Sequence, residues 1–170
     1  MINKTGFGGG CHWCTEAVFS SVKGVVSVAQ GWIASQDNNA SFSEGVIVEY
    51  DSNIINLKVL IEIHLHTHSS TAQHSMRDKY RSAVYIFQGD DIPHVKLIIK
   101  NLQPDFDKPL ITEVLRYAEF KLNRQESLDY YFTDPERPFC ENYINPKLKL
   151  LMKQFSNVIE GSKLIHLQDH

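Results

Sequence analysis

The chain has 170 residues, enough for one domain with a real core, and its 42% apolar and 22% charged residues are the make-up of an ordinary globular protein. A net charge of -3 with no basic cluster gives no electrostatic footing for nucleic acid, and no apolar run is long enough to cross a membrane. Three cysteines are too few for a disulfide framework, and the start Met1-Ile2-Asn3-Lys4 lacks a signal-like apolar stretch, so free thiols in the cytoplasm are expected.

In chain order, residues 2–7 read as a short strand that runs into Gly8-Gly9-Gly10. Residues 11–22 then form an amphipathic helix with Ala17, Val18 and Val22 on one side. Cys11 therefore stands at a helix start, where unpaired backbone N–H groups and the helix dipole favour thiolate over thiol. Cys14 follows one turn later on the same side, within reach for a disulfide. Lys23-Gly24 stops the helix. Residues 25–33 and 44–50 read as strands around the polar turn 35–41, an antiparallel pair. Residues 54–68 show a helical stripe of Leu57, Leu60, Ile61, His64 and Leu65.

A polar connection, 69–79, leads to a strand at 83–87. Asp91 and Pro93 open a helix that ends near Leu102. Residues 104–109 break it, and 111–120 read as one further strand. A short helical piece at 125–131, a loop at 133–146 and a helix at 147–159 complete the chain. The close strand pair argues against a purely parallel sheet. The expected fold is α+β, a two-layer sandwich with a mixed sheet, in a single domain spanning residues 1–170.

With those pieces placed, the sequence resembles the A-type peptide methionine sulfoxide reductases. Gly10-Cys11-His12-Trp13-Cys14-Thr15-Glu16 is similar to that family's G-C-F-W-x-x-E signature. Glu44-Gly45-Val46 with Tyr50-Asp51 resembles its E-A-V…Y-D strand, and Tyr80-Arg81-Ser82-Ala83-Val84-Tyr85 its Y-R-S-A-I-Y block. Val22-Lys23-Gly24-Val25 with Gly31, and Phe139-Cys140 with Asn145-Pro146-Lys147-Leu148, complete the likeness over roughly residues 5–150.

The resemblance implies an α/β plait with a ferredoxin-like core and a mainly antiparallel sheet. It also implies reduction of the S epimer of methionine sulfoxide, free or in proteins, with no cofactor, thioredoxin as reductant, and a monomer as the acting species. Cys11 matches the nucleophile and Glu44 the acid that protonates the departing oxygen, kept neutral between Phe42 and Val46. Tyr80 matches the donor that holds that oxygen, and Trp13 the wall for the substrate's S-methyl group. Cys140 matches the recycling position in the C-terminal loop and helix, 133–170. Cys14 competes for that role through a CxxC bridge.

This chain departs from the family pattern at several places. His12 stands where the family has phenylalanine, and is expected to line the substrate site. The 31–44 loop is short and lacks the family's tyrosine. Ser75 replaces an aspartate, for which Asp78 is the nearest substitute, and Ser127-Leu128 replaces an H-Q pair. Two rival readings use other features. A general thiol–disulfide oxidoreductase would need only Cys11 and Cys14, and a non-catalytic module would bind sulfoxide, or zinc by combining cysteines with His64, His66, His68 and His74. Glu16 is expected to be structural.

Overall fold

A computed structural model describes residues 1–168. Its elements, in chain order, are β1 (Ile2–Gly8), α1 (His12–Ser20), β2 (Val25–Ala34), β3 (Ser43–Asp51), α2 (Leu57–Thr67), β4 (Ala83–Ile86), α3 (Ile92–Leu102), β5 (Glu113–Arg116), β6 (Glu119–Leu122), α4 (Tyr130–Thr133) and α5 (Asn145–Gln154). The strands form one six-stranded sheet in the order β5-β4-β1-β3-β2-β6. Only the β4–β5 pair is parallel. The other four pairs are antiparallel, including β2–β3 as expected, with a bulge between Val25 and Ser27. This is the α+β, mixed and mainly antiparallel architecture the sequence implies.

Alternation along the strands decides which side chains meet the helices. Phe7, Val46, Val48, Val84 and Ile86 face the helical layer and join one core with Val18, Phe19, Leu60, Ile61, Val95 and Leu148. In α2 the Asn56 side chain accepts the Val59 N–H at 3.0 Å, which fixes the helix start at Leu57, three residues later than the apolar pattern alone places it.

The stretch 111–120 is two strands, not one. β5 and β6 lie on opposite edges of the sheet, yet only Tyr117 and Ala118 separate them. Across a flat sheet of this size the edges stand roughly 24 Å apart, whereas so short a link reaches about 10 Å. The sheet must therefore roll until its edges meet. At the junction Tyr117 N–H donates to Ile86 O on β4 and Ala118 N–H to Ala34 O on β2, both lengths close to 3 Å (2.9 and 3.0 Å). Ile33, Ala83 and Tyr85 fill the inner face of the roll. Gly6 makes room for them, since a Cβ there would lie 2.7 Å from Ile33 and 2.8 Å from Tyr85.

The segment 133–146, expected as loop, is largely helical. A π-helical turn, Cys140–Ile144, runs directly into α5, whose first turn carries Pro146. Cys140 and Ile144 are fully buried and anchor this turn against the core. Burial of those two side chains is a tertiary effect that local sequence does not display. No helix among the described residues is long and apolar enough to cross a membrane.

Candidate active site

The three glycines carry the chain from β1 to α1 in a turn only glycine accommodates at its centre. Gly9 has φ +148, and a Cβ there would stand 2.5 Å from the His68 ring. Beneath this turn the ring of His64 donates from Nε2 to Gly8 O at 2.8 Å and stacks on His68 at 4.1 Å. Burial keeps both histidines neutral: His64 is pushed well below its ordinary value and His68 to about 3. Cys11 follows as the N-cap residue of α1, in extended backbone.

The Cys11 sulfur is half-buried and its pKa lies below the ordinary thiol value. The main cause is the Cys14 thiol, which donates a hydrogen bond to it. The backbone N–H groups of Trp13 and Cys14, at the open end of the helix, act in the same direction. Burial and the Glu44 carboxyl oppose them. Cys14 shows the mirror image: its bond to the Cys11 sulfur and its burial hold its own proton firmly in place, while Lys147 pulls the other way.

Cys11, Glu44 and Tyr80 line one open cavity of about 560 Å³. Glu44 reaches it because β3 is in register with β2, where Trp32 lies directly opposite Glu44. The setting of Glu44 differs from the apolar one its sequence neighbours predict. It is buried, at 6% exposure. Its Oε1 accepts the His12 backbone N–H at 3.2 Å, and its Oε2 lies 3.5 Å from Lys79 Nζ. Phe42 instead sits under Lys121, whose Nζ is 4.6 Å from the ring centroid.

Trp13 forms an aromatic wall of the same cavity. Its ring stacks on Tyr130 at 4.0 Å and meets the edge of Phe139 at 5.5 Å. Glu16 holds this wall from behind: it accepts the N–H groups of Asp129 (3.0 Å) and Tyr130 (3.2 Å), a structural role as expected. His12 also lines the cavity. Asp78 does not. It is exposed in a separate small cleft with Arg77 and Arg81, because the turn before Tyr80 directs it away from Cys11.

The three cysteines are unequally placed. Cys14 touches Cys11, whereas Cys140 is fully buried in the π-helical turn behind the cavity. The histidines named as a zinc alternative are dispersed. His64 and His68 brace the glycine turn, His74 is exposed, and His66 lies with Glu62 and Asp105, the one grouping of three potential ligands among the described residues. None of these sets includes a cysteine.

Several cavity residues were given no site role from sequence: Trp32, Lys79, Phe139, Tyr143 and Lys147. The strand register with Glu44 was a usable signal for Trp32. Lys79 and Lys147 lie beside or inside recognised blocks, but Lys79 reaches the cavity because its carbonyl accepts the Glu44 N–H on β3, and Lys147 because α5 folds back over the site.

The sequence profile of the family described as peptide methionine sulfoxide reductase matches residues 3–159. The peptide methionine sulfoxide reductase MsrA of Psychrobacter sp. (strain PRwf-1) is 34% identical over 164 residues, covering 87% of this chain and 93% of that protein. In fold, the chain is similar to methionine sulfoxide reductase A of Corynebacterium diphtheriae (TM-score 0.68, 22% identity, 79% of this chain and 76% of that one). It is also similar to Mxr1 from Saccharomyces cerevisiae in complex with Trx2 (TM-score 0.57, 19% identity, 76% and 84%).

Proposed function

The chain belongs to the peptide methionine sulfoxide reductase family, and from that premise we infer that it returns the S epimer of methionine sulfoxide to methionine by thiol chemistry. One observation carries the assignment of roles: an N-cap sulfur with a lowered pKa shares a cavity with a buried carboxyl group.

The Cys11 thiolate attacks the sulfoxide sulfur. Glu44 gives a proton to the oxygen as the S–O bond weakens, and Tyr80 orients that oxygen from the cavity wall. Trp13, held flat by Tyr130, packs against the S-methyl group. Oxygen passes to sulfur, so that Cys11–SH plus sulfoxide gives Cys11–SOH plus thioether.

A second thiol then attacks the sulfenic acid, forming a disulfide and releasing water. The direct contact supports Cys14 as that thiol, in place of Cys140 as the motif match implies. Its proton is held chiefly by the negative Cys11 sulfur, and Lys147 draws it the other way. When Cys11 loses its charge on oxidation, its hold on that proton is gone, and Lys147 is opposed only by burial and the weaker influence of Cys140. Resolution is thereby timed to follow oxygen transfer. A thioredoxin-type dithiol would reduce the Cys11–Cys14 bridge by exchange. The yeast relative solved with Trx2 supports that class of partner.

The test is reduction of separate S and R sulfoxides of a blocked methionine, with dithiothreitol and then with thioredoxin. The S epimer alone should react, Cys11→Ser should be inactive, and Cys14→Ser should stop turnover only with thioredoxin. Undiminished activity in Cys11→Ser would remove the assignment. Loss of thioredoxin turnover in Cys140→Ser but not Cys14→Ser would restore Cys140 as the resolving thiol.

A further inference from the structure

His12 replaces the phenylalanine that the family pattern places after the catalytic cysteine, and it is buried at 5% exposure. A buried imidazole is costly unless its nitrogens are partnered. Both are. Nδ1 lies 2.9 Å from Gly31 O, and since a carbonyl only accepts, Nδ1 carries the hydrogen. Nε2 lies 3.5 Å from Glu44 Oε1 and 3.4 Å from Asn123 Nδ2.

The direction of each bond behind Nε2 is determined in turn. Gln30 Nε2 donates to Glu16 Oε1 (3.1 Å) and to Ser127 O (2.9 Å), which leaves Gln30 Oε1 as an acceptor. Asn123 Nδ2 donates to that oxygen at 2.6 Å, while Asn123 Oδ1 takes the Arg124 N–H at 2.8 Å. The remaining Asn123 N–H points at His12 Nε2, which must therefore present a lone pair. A chain of oriented amides thus runs from α1 through Gln30 of β2 and Asn123, the residue after β6, and ends on the imidazole beside Glu44.

We propose that His12 is a positioning residue for Glu44: its neutral Nδ1–H imidazole holds a lone pair against the Glu44 carboxyl, and the two groups together store the proton needed by the sulfoxide oxygen. This rests on the reading of Glu44 as proton donor given above. The stored proton is the one Cys11 gives up on ionising. It passes from the pair to the oxygen during transfer, and no electrons move in the relay. Lys79 faces the other carboxyl oxygen as an ammonium with no lone pair to take up a proton, whereas the neutral imidazole presents one at Nε2. The charged groups bearing on His12 are Glu44, Lys79 behind it, the Cys11 sulfur, and Glu16 at the far end of the amide chain. The faces toward Trp13 and Trp32 are uncharged.

The test uses the intact chain in two measurements. Ring 15N NMR at pH 7 should show the Nδ1–H tautomer for His12, with a titration that changes in Glu44→Gln. An Nε2–H tautomer overturns the proposal without reference to any variant's folding. In single-turnover oxygen transfer, His12→Gln and His12→Phe should slow the step by about 10- to 100-fold, leave KM within about twofold, and remove one limb of the wild-type pH profile. An unchanged pH profile, or a loss carried by KM, overturns it as well. Inactive wild type would instead fail the parent reading, so the two failures are distinct.

Discussion

Cys14 is the largest influence lowering the Cys11 pKa, so its removal should change the reactivity of a residue three positions away. A hydrogen bond to a charged partner contributes about 1.5–3 kcal/mol. At about 1.4 kcal/mol per tenfold, Cys14→Ala should cut the Cys11 thiolate population at neutral pH by roughly 10- to 100-fold. Cys14→Ser keeps an O–H donor at the same place and should preserve most of that population, while abolishing any Cys11–Cys14 disulfide. The assay is the rate of Cys11 alkylation by iodoacetamide across pH, read by mass spectrometry. The expected order of inflection is wild type and Cys14→Ser together, with Cys14→Ala at higher pH. If all three titrate at the same pH, the helix amides alone account for the thiolate, and the account of timed resolution by Cys14 falls with the bond.

The brace under the glycine turn makes Gly9→Ala severe. The His68 ring cannot retreat from the new methyl, being held at 2.8 Å by Ser82 and stacked on His64, so about 2–4 kcal/mol of stability should be lost, measured by urea unfolding. An unchanged midpoint would show that the turn yields freely. His68 has a folded pKa of about 3 against an ordinary 6.5, so the native state binds fewer protons than the unfolded chain between those values. Stability is therefore full above that window and falls as pH drops through it, by roughly 3 kcal/mol from this histidine on reaching about pH 4.5. The double variant His64→Gln/His68→Gln should flatten the dependence, and an equal drop in that variant would place its source elsewhere. Glu16→Leu leaves the buried Gln30 amide and the part-buried N–H groups of Asp129 and Tyr130 without their acceptor and should cost about 1–3 kcal/mol, with Glu16→Gln much milder. Thermal melts that rank Gln as badly as Leu would assign the role to charge instead of hydrogen bonding.

Periodicity and turn chemistry were enough for β1, α1, the β2–β3 pair, α2, β4 and α3, because each buries a face whose spacing is written locally. The glycine turn and the cysteine at the helix start were legible for the same reason, and the block match added Glu44 and Tyr80. The division of 111–120 into β5 and β6 was not legible. Its alternation continues smoothly while the strand changes partner from β4 to β2, and only the roll of the sheet explains the switch. The helical form of 140–144 and the burial of Cys140 likewise depend on what that segment packs against.

What the sequence determined by itself was a cysteine at the mouth of a helix and a strand, carrying Glu44, paired into the sheet beside it. Short-range order sets a turn, a cap and an alternation. The tertiary structure decided the partners: Lys79 and His12 against Glu44, Cys14 against Cys11, and a line of amides leading to the imidazole. Those contacts join residues up to 111 positions apart, and their hydrogen-bond directions exist only once the sheet has rolled and brought β6 alongside β2.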